Sequence, residues 1–191
     1  MSARDVFVLA LAAVMPACAP AEERGRNAQP AVVESSDASL SVRGGLTLWR
    51  GEPFSGVVEE HDVGERLLRR TRLHDGLRDG LEERFYADGS LQSARWYASG
   101  FKQGRHRGWW PEGGRRFDLQ FEGGRYQGTQ QRWHENGSLY QLNHYENGVE
   151  VGQQRSWTAE GRLFANYFAV EGRRFGLIGA KPCFTVQGEA S

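Results

Sequence analysis

Residues 128–151 read Gly-Thr-Gln-Gln-Arg-Trp-His-Glu-Asn-Gly-Ser-Leu-Tyr-Gln-Leu-Asn-His-Tyr-Glu-Asn-Gly-Val-Glu-Val. Asn136-Gly137 and Asn147-Gly148 are hairpin-turn dipeptides, because both residue types tolerate the positive φ that tight hairpins require. The runs around them, about eight to ten residues long, lack any sustained apolar spacing of three and four, so they read as strands. A three-residue loop ending at Gly137 sets Trp133 opposite Leu139.

Working outward, Gly128 is one of six glycines, Gly56, Gly80, Gly104, Gly128, Gly152 and Gly176, spaced 24 residues apart. A fixed period of this kind marks a repeat array. The first turn signal recurs as Asp88-Gly89, Glu112-Gly113 and Glu160-Gly161. The second recurs as Asp75-Gly76, Ser99-Gly100, Gly123-Gly124 and Glu171-Gly172. Phe85 with Leu91 and Trp157 with Leu163 repeat the Trp133–Leu139 pairing. Since residues two apart point the same way and the period is even, Leu73, Tyr97, Phe121 and Tyr145 are expected on that same face.

The predicted fold is therefore all-β, an antiparallel meander of repeated hairpins in one elongated, twisted sheet. A lead-in strand from Leu46 to Phe54 precedes five two-strand units starting at residues 56, 80, 104, 128 and 152, for about eleven strands and a width of about 50 Å. The period glycines lie near mid-strand, which suggests a bend or a close backbone approach. The third unit, with its extra Gly114 and with Arg115 where its neighbours carry leucine, is expected to turn differently.

Alternation places a second set of residues on the opposite face. Tyr86, Trp96, Trp110, Tyr140, Phe164 and Phe168, with Leu142, fall there among Arg116, Asp118, Glu122 and Glu146. Such aromatic and charged residues either fill a second buried layer or form a partner-binding strip. An extended repeat surface favours binding over catalysis, which gathers unlike residues around one pocket. No catalytic motif, metal-ligand spacing or cofactor signature is recognised, so the expectation is no enzyme, no cofactor and no metal. His134 and His144 flank one hairpin and are close enough in sequence to meet, but a third ligand is wanting.

The repeat form G-x-x-x-x-aromatic-aromatic-x-(Asp/Asn/Glu)-G-x-Leu, followed by x-G-x-x-x-G, resembles the bacterial variant of the MORN repeat. It is carried by Phe85-Tyr86 with Asp88-Gly89, by Trp133 with Asn136-Gly137, and by Trp157 with Glu160-Gly161. Proteins of that type are often labelled YwqK-type antitoxins. The resemblance covers about Leu46 to Gly176 and is weak in the first unit, where His61-Asp62 replaces the aromatics. It implies a hairpin array that acts as a scaffold for proteins or phospholipid surfaces, and it brings no catalytic residues.

At the N-terminus, an apolar run from Val6 to Val14 ends at Met15-Pro16-Ala17-Cys18. It is too short to span a bilayer and resembles a lipoprotein signal peptide over residues 1–17. Lipidation of Cys18 would anchor the chain to the membrane; ordinary secretion, yielding a soluble periplasmic protein, is the alternative. Ala19 after the cysteine resembles sorting to the outer membrane, facing the periplasm. Residues 18–42, polar and without aromatics, are expected as a flexible tether ahead of the repeat domain, residues 43–176. Residues 177–191 read as a C-terminal cap or tail that holds Cys183.

The 24 basic and 24 acidic residues give a formal net charge of zero. A nucleic-acid partner is not expected of such a chain. The composite expectation is a lipid-anchored, noncatalytic scaffold that binds an envelope protein. The alternatives are an antitoxin or immunity-type inhibitor of a cognate toxin, and a thiol- or metal-handling protein using Cys183. The oligomeric state is not specified by sequence.

Overall fold

The computed structural model describes residues 31–177. Those residues form β-strands and connecting turns, with no helix among them. The strands are β1 (Val32–Glu34), β2 (Leu40–Arg43), β3 (Leu46–Trp49), β4 (Glu52–Pro53), β5 (Gly56–His61) and β6 (Leu67–His74). They continue with β7 (Leu77–Phe85), β8 (Leu91–Ala98), β9 (Phe101–Lys102), β10 (Gly104–Trp109), β11 (Arg115–Glu122) and β12 (Arg125–Tyr126). The last are β13 (Gly128–Trp133), β14 (Leu139–Glu146), β15 (Val149–Glu150), β16 (Gly152–Trp157), β17 (Leu163–Val170) and β18 (Arg173–Leu177).

One 15-stranded sheet runs in the order β1-β5-β6-β7-β8-β10-β11-β13-β14-β16-β17-β18, with β9, β12 and β15 pairing beside that path. Every neighbouring pair is antiparallel except β1 with β5. The expected meander is the observed one. Its second turns are two-residue hairpins with both residues at positive φ, for example Asn147 at 49° and Gly148 at 85°, the geometry whose twist matches that of the strands. Its first turns are three-residue loops, in which the Gly137 N–H bonds His134 O and the His134 N–H bonds Ser138 O.

Three expectations need correction. The third unit turns like the others, since the Gly113 N–H bonds Trp110 O and the Trp110 N–H bonds Gly114 O. Its extra glycine occupies the position of Ser138 and changes nothing in the loop. The lead-in Leu46–Phe54 is not the sheet's first strand: β2, β3 and β4 form a separate three-stranded sheet. From it Phe54, Leu40 and Trp49 pack with Val33, Leu73 and Val58, closing the first end of the array with its main apolar cluster. The polar stretch expected as a tether is built into the fold from residue 31 onward, because Val32 and Val33 pair with Val57 and Val58 and Val33 is buried. Residues 18–30 and 178–191, with Cys18 and Cys183, lie outside the described residues.

The period glycines also have a sharper role than a mid-strand bend. At three of them the ladder opens: Gln103–His106 lie opposite only Arg95 and Trp96, between the pairs Tyr97–Lys102 and Ala94–Arg107. Gln127–Gln130 and Val151–Gln154 repeat this. Gly104, Gly128 and Gly152 hold φ of 64°, 68° and 67° there, with nothing within 4 Å of where a Cβ would sit, so conformation and not crowding selects glycine. At the array's ends the reason is different, because a Cβ on Gly56 would strike Ala31 O and the Phe54 ring.

Where the ladder opens, backbone groups lose their partners, and a buried polar side chain restores them. Gln130 Oε1 accepts from the Gln120 N–H at 2.9 Å while its Nε2 donates to Gln120 O at 3.1 Å and to Gln127 O at 2.9 Å. Gln154 treats His144 and Val151 in the same way. His106, one unit earlier, donates from Nε2 to Trp96 O at 2.7 Å. A second recurring clasp joins residues 20 apart: the Ser99 N–H reaches Asp79 Oδ2, the Gly123 N–H reaches Gln103 Oε1, and the Asn147 N–H reaches Gln127 Oε1.

Candidate binding groove

The face carrying Leu73, Tyr97, Phe121 and Tyr145 also holds the buried Glu82, Ser93, His106, Gln130, Asn143 and Gln154. Along it runs a chain of rings, Tyr97–His106–Phe121–Tyr126–Tyr145, with centroids 5.6, 4.5, 4.7 and 5.1 Å apart. The chain ends at Glu150, whose carboxylate accepts from Tyr167 Oη at 3.0 Å and from Arg174 Nε at 2.9 Å. Burial first, then the Glu150 carboxylate, pushes the Tyr167 hydroxyl up to about 12.

Over the middle of this face lies a groove of about 420 Å³. Arg95, Lys102, Arg116 and Arg132 line it together with Trp110, Phe117, Phe121, Tyr126, Trp133 and Tyr140, and no carboxylate does. The cations lie against rings. Arg95 sits 5.8 Å from the Phe117 centroid, Lys102 5.0 Å from Phe121, and Arg116 4.8 Å from Trp110. Arg132 donates to Tyr126 Oη at 3.3 Å. Beneath them His106 is held neutral: burial lowers its pKa, Lys102 and Arg95 lower it further, and the Trp96 carbonyl opposes them.

Unit three opens this space by its departures from the repeat. Gly108 stands where units two and four have Arg84 and Arg132, and the Phe117 ring lies where a Cβ at 108 would be. The ring thereby takes the space that a side chain at 108 would fill.

The residues expected on the opposite face divide. Trp96 and Phe168 do lie there, 51% and 52% exposed, but three units apart. Tyr140 and Arg116 do not. A register shift between Arg132 and Trp133, and its equal between Gly108 and Trp109, makes two return-strand residues oppose one and reverses the alternation beyond. Tyr140 and Arg116 thus join Phe117 and Arg132 in the groove, and Leu139 leaves the Tyr145 face. Phe164 follows Tyr140, stacked on it at 6.5 Å. Trp110 lines the groove, and half-buried Tyr86 donates from Oη to Trp109 O at 2.8 Å.

On the opposite face Asp118 is buried and bonded by Arg105 Nε at 2.6 Å and by Arg115 at 3.3 Å, with Arg107 at 3.9 Å. His134 and His144 do not meet: His134 bonds Trp157 O and His144 bonds Thr129 Oγ1. Glu34, Glu59 and His61 bring ligand atoms within 4.8 Å of one another. Arg70 already holds Glu59 at 2.6 Å and His61 contacts Glu34 at 2.7 Å, so these groups already have partners, which tie β6 to β5 and β5 to β1. Sequence reasoning missed Arg95, Lys102, Arg132 and Phe117. They come from different units and different offsets within the repeat, so no spacing in the sequence marked them as a set.

No protein-family model matches the chain, and no curated protein matches it.

Proposed function

We propose that the protein is a noncatalytic binding scaffold of MORN-like repeats, held at the bacterial outer membrane by a lipid on Cys18, that engages a protein partner. The observation that supports this best is the groove, where four cations and six aromatic residues line one continuous surface without a carboxylate. Aromatic and arginine side chains are the residues that protein interfaces enrich. Rigid strands with clasped turns hold them in place before any partner arrives, which lowers the ordering cost of association.

The test is in-cell cross-linking of the tagged full-length protein in its native host, followed by mass spectrometry of captured proteins and of the Cys18 peptide. A dominant envelope protein together with an acylated Cys18 is expected. Recovery of lipid alone, or an unmodified N-terminus, refutes the respective half of the proposal.

A further inference from the structure

Resting on that reading, we infer that the groove of units three and four takes an acidic peptide segment of the partner, its carboxylates received by Arg95, Lys102, Arg116 and Arg132. Charge complementarity carries the inference. In a chain of zero net charge, most arginines near a carboxylate use it: Arg69, Arg70, Arg78, Arg84, Arg105 and Arg174 all form ion pairs. None of the four groove cations has such a partner among the described residues, although they converge on one space.

At three of its six rings the groove offers a ligand donors in place of an open face. Arg95, Lys102 and Arg116 already cover Phe117, Phe121 and Trp110, so a flat aromatic ligand would have to displace a cation before stacking. A carboxylate displaces nothing, because guanidinium N–H groups at the edge of a stacked cation remain free to donate.

Spacing selects an extended ligand. The four cations come from β8, the β9 segment, β11 and β13, which along the path β8-β10-β11-β13 span three strand spacings, about 14 Å. Successive same-side residues of an extended peptide lie about 7 Å apart, so two or three carboxylates on alternate residues match the span.

The experiment uses the full-length protein in detergent and an eight-residue capped peptide with glutamate at alternate positions, beside its glutamine counterpart. Calorimetry should show the glutamate peptide binding at least about tenfold more tightly, a gap that shrinks as salt is raised. Arg95→Gln with Arg132→Gln should lose about tenfold or more. Arg43→Gln, on the N-terminal sheet, should lose nothing. Because Lys102 and Lys181 are the chain's two lysines, amine acetylation read by mass spectrometry supplies a test without mutation. The glutamate peptide should slow acetylation of Lys102 and leave that of Lys181 unchanged.

Equal binding of the two peptides, or no protection of Lys102, overturns the inference. So does equal affinity for inorganic phosphate or for vesicles containing an anionic phospholipid, which would reassign the groove. If the double variant still captures the cross-linked envelope partner from cells, the scaffold reading stands and the groove assignment alone falls.

Discussion

Replacing His106 with glutamine gives unit three the residue that its neighbours use at the same position, Gln130 and Gln154. The structure fixes what is exchanged. His106 makes one bond, to Trp96 O at 2.7 Å, and contacts the rings of Tyr97 and Phe121. Glutamine would make two bonds to the same backbone, as Gln130 does to Gln120. One added hydrogen bond contributes about 1 kcal/mol, and two lost ring contacts cost about 1–2 kcal/mol. At pH 7.5 the variant should therefore lie within about 1 kcal/mol of the parent.

The pH dependence separates the two proteins. Burial holds the folded His106 pKa below its usual 6.5. As pH falls through 6.5, the unfolded chain takes up a proton that the folded chain refuses, and the folded state loses stability until its own lowered pKa is reached. Above that range both forms are neutral and nothing is lost. Between pH 7.5 and 5.5 the parent should lose up to about 1.4 kcal/mol relative to His106→Gln, the other histidines cancelling in the comparison. Urea denaturation at the two pH values measures this. An unchanged gap between parent and variant would refute the claim that His106 is a neutral backbone clasp.

Gly104→Ala meets no atoms and should cost only the strain of positive φ, about 1–2 kcal/mol, whereas Gly108→Ala strikes the Phe117 ring and should cost about 2–3 kcal/mol. Adding Phe117→Leu should recover stability in the second case and not in the first, as thermal melts will show. Asp118→Asn leaves the half-exposed Arg105, Arg107 and Arg115 crowded without their shared carboxylate and, with solvent screening the arginines, should cost about 1–2 kcal/mol in urea denaturation. A variant as stable as the parent would mean that the charge on buried Asp118 is no asset to the fold. Glu150→Gln removes the charge beside Tyr167, so the tyrosine titration near 12 should move down while burial keeps it above 10. Ultraviolet titration of the phenolate reads the shift, and an unmoved midpoint would deny Glu150 its part.

The meander was legible because its determinants are local. Dipeptides such as Asn147-Gly148 name their own turn, and a period that never slips fixes the register of each hairpin. What was not legible depended on register inside the strands. The shift between Arg132 and Trp133 has no sequence mark, and one extra residue was enough to carry Tyr140 and Arg116 across the sheet. Nothing in the sequence singled out the glutamines at 130 and 154. Their burial follows only from an opened ladder whose orphaned groups they satisfy. The groove was hidden because Arg95, Lys102 and Arg132 come from separate strands, and pairing alone brings them together.

The clasps between residues 20 apart make the 24-residue unit a unit of gene rearrangement as well as of folding. Asp79, Gln103 and Gln127 each hold a turn belonging to the hairpin that follows. Excising or duplicating the period that starts at residue 80 or at residue 104 therefore leaves each of these turns beside an acceptor, while any other length strands at least one N–H without its partner. A lineage can lengthen or shorten this protein in steps of two strands and keep a folded chain at each step. The groove is the one feature such a history cannot copy, because it needs the third unit's glycine at 108 beside the fourth unit's Arg132.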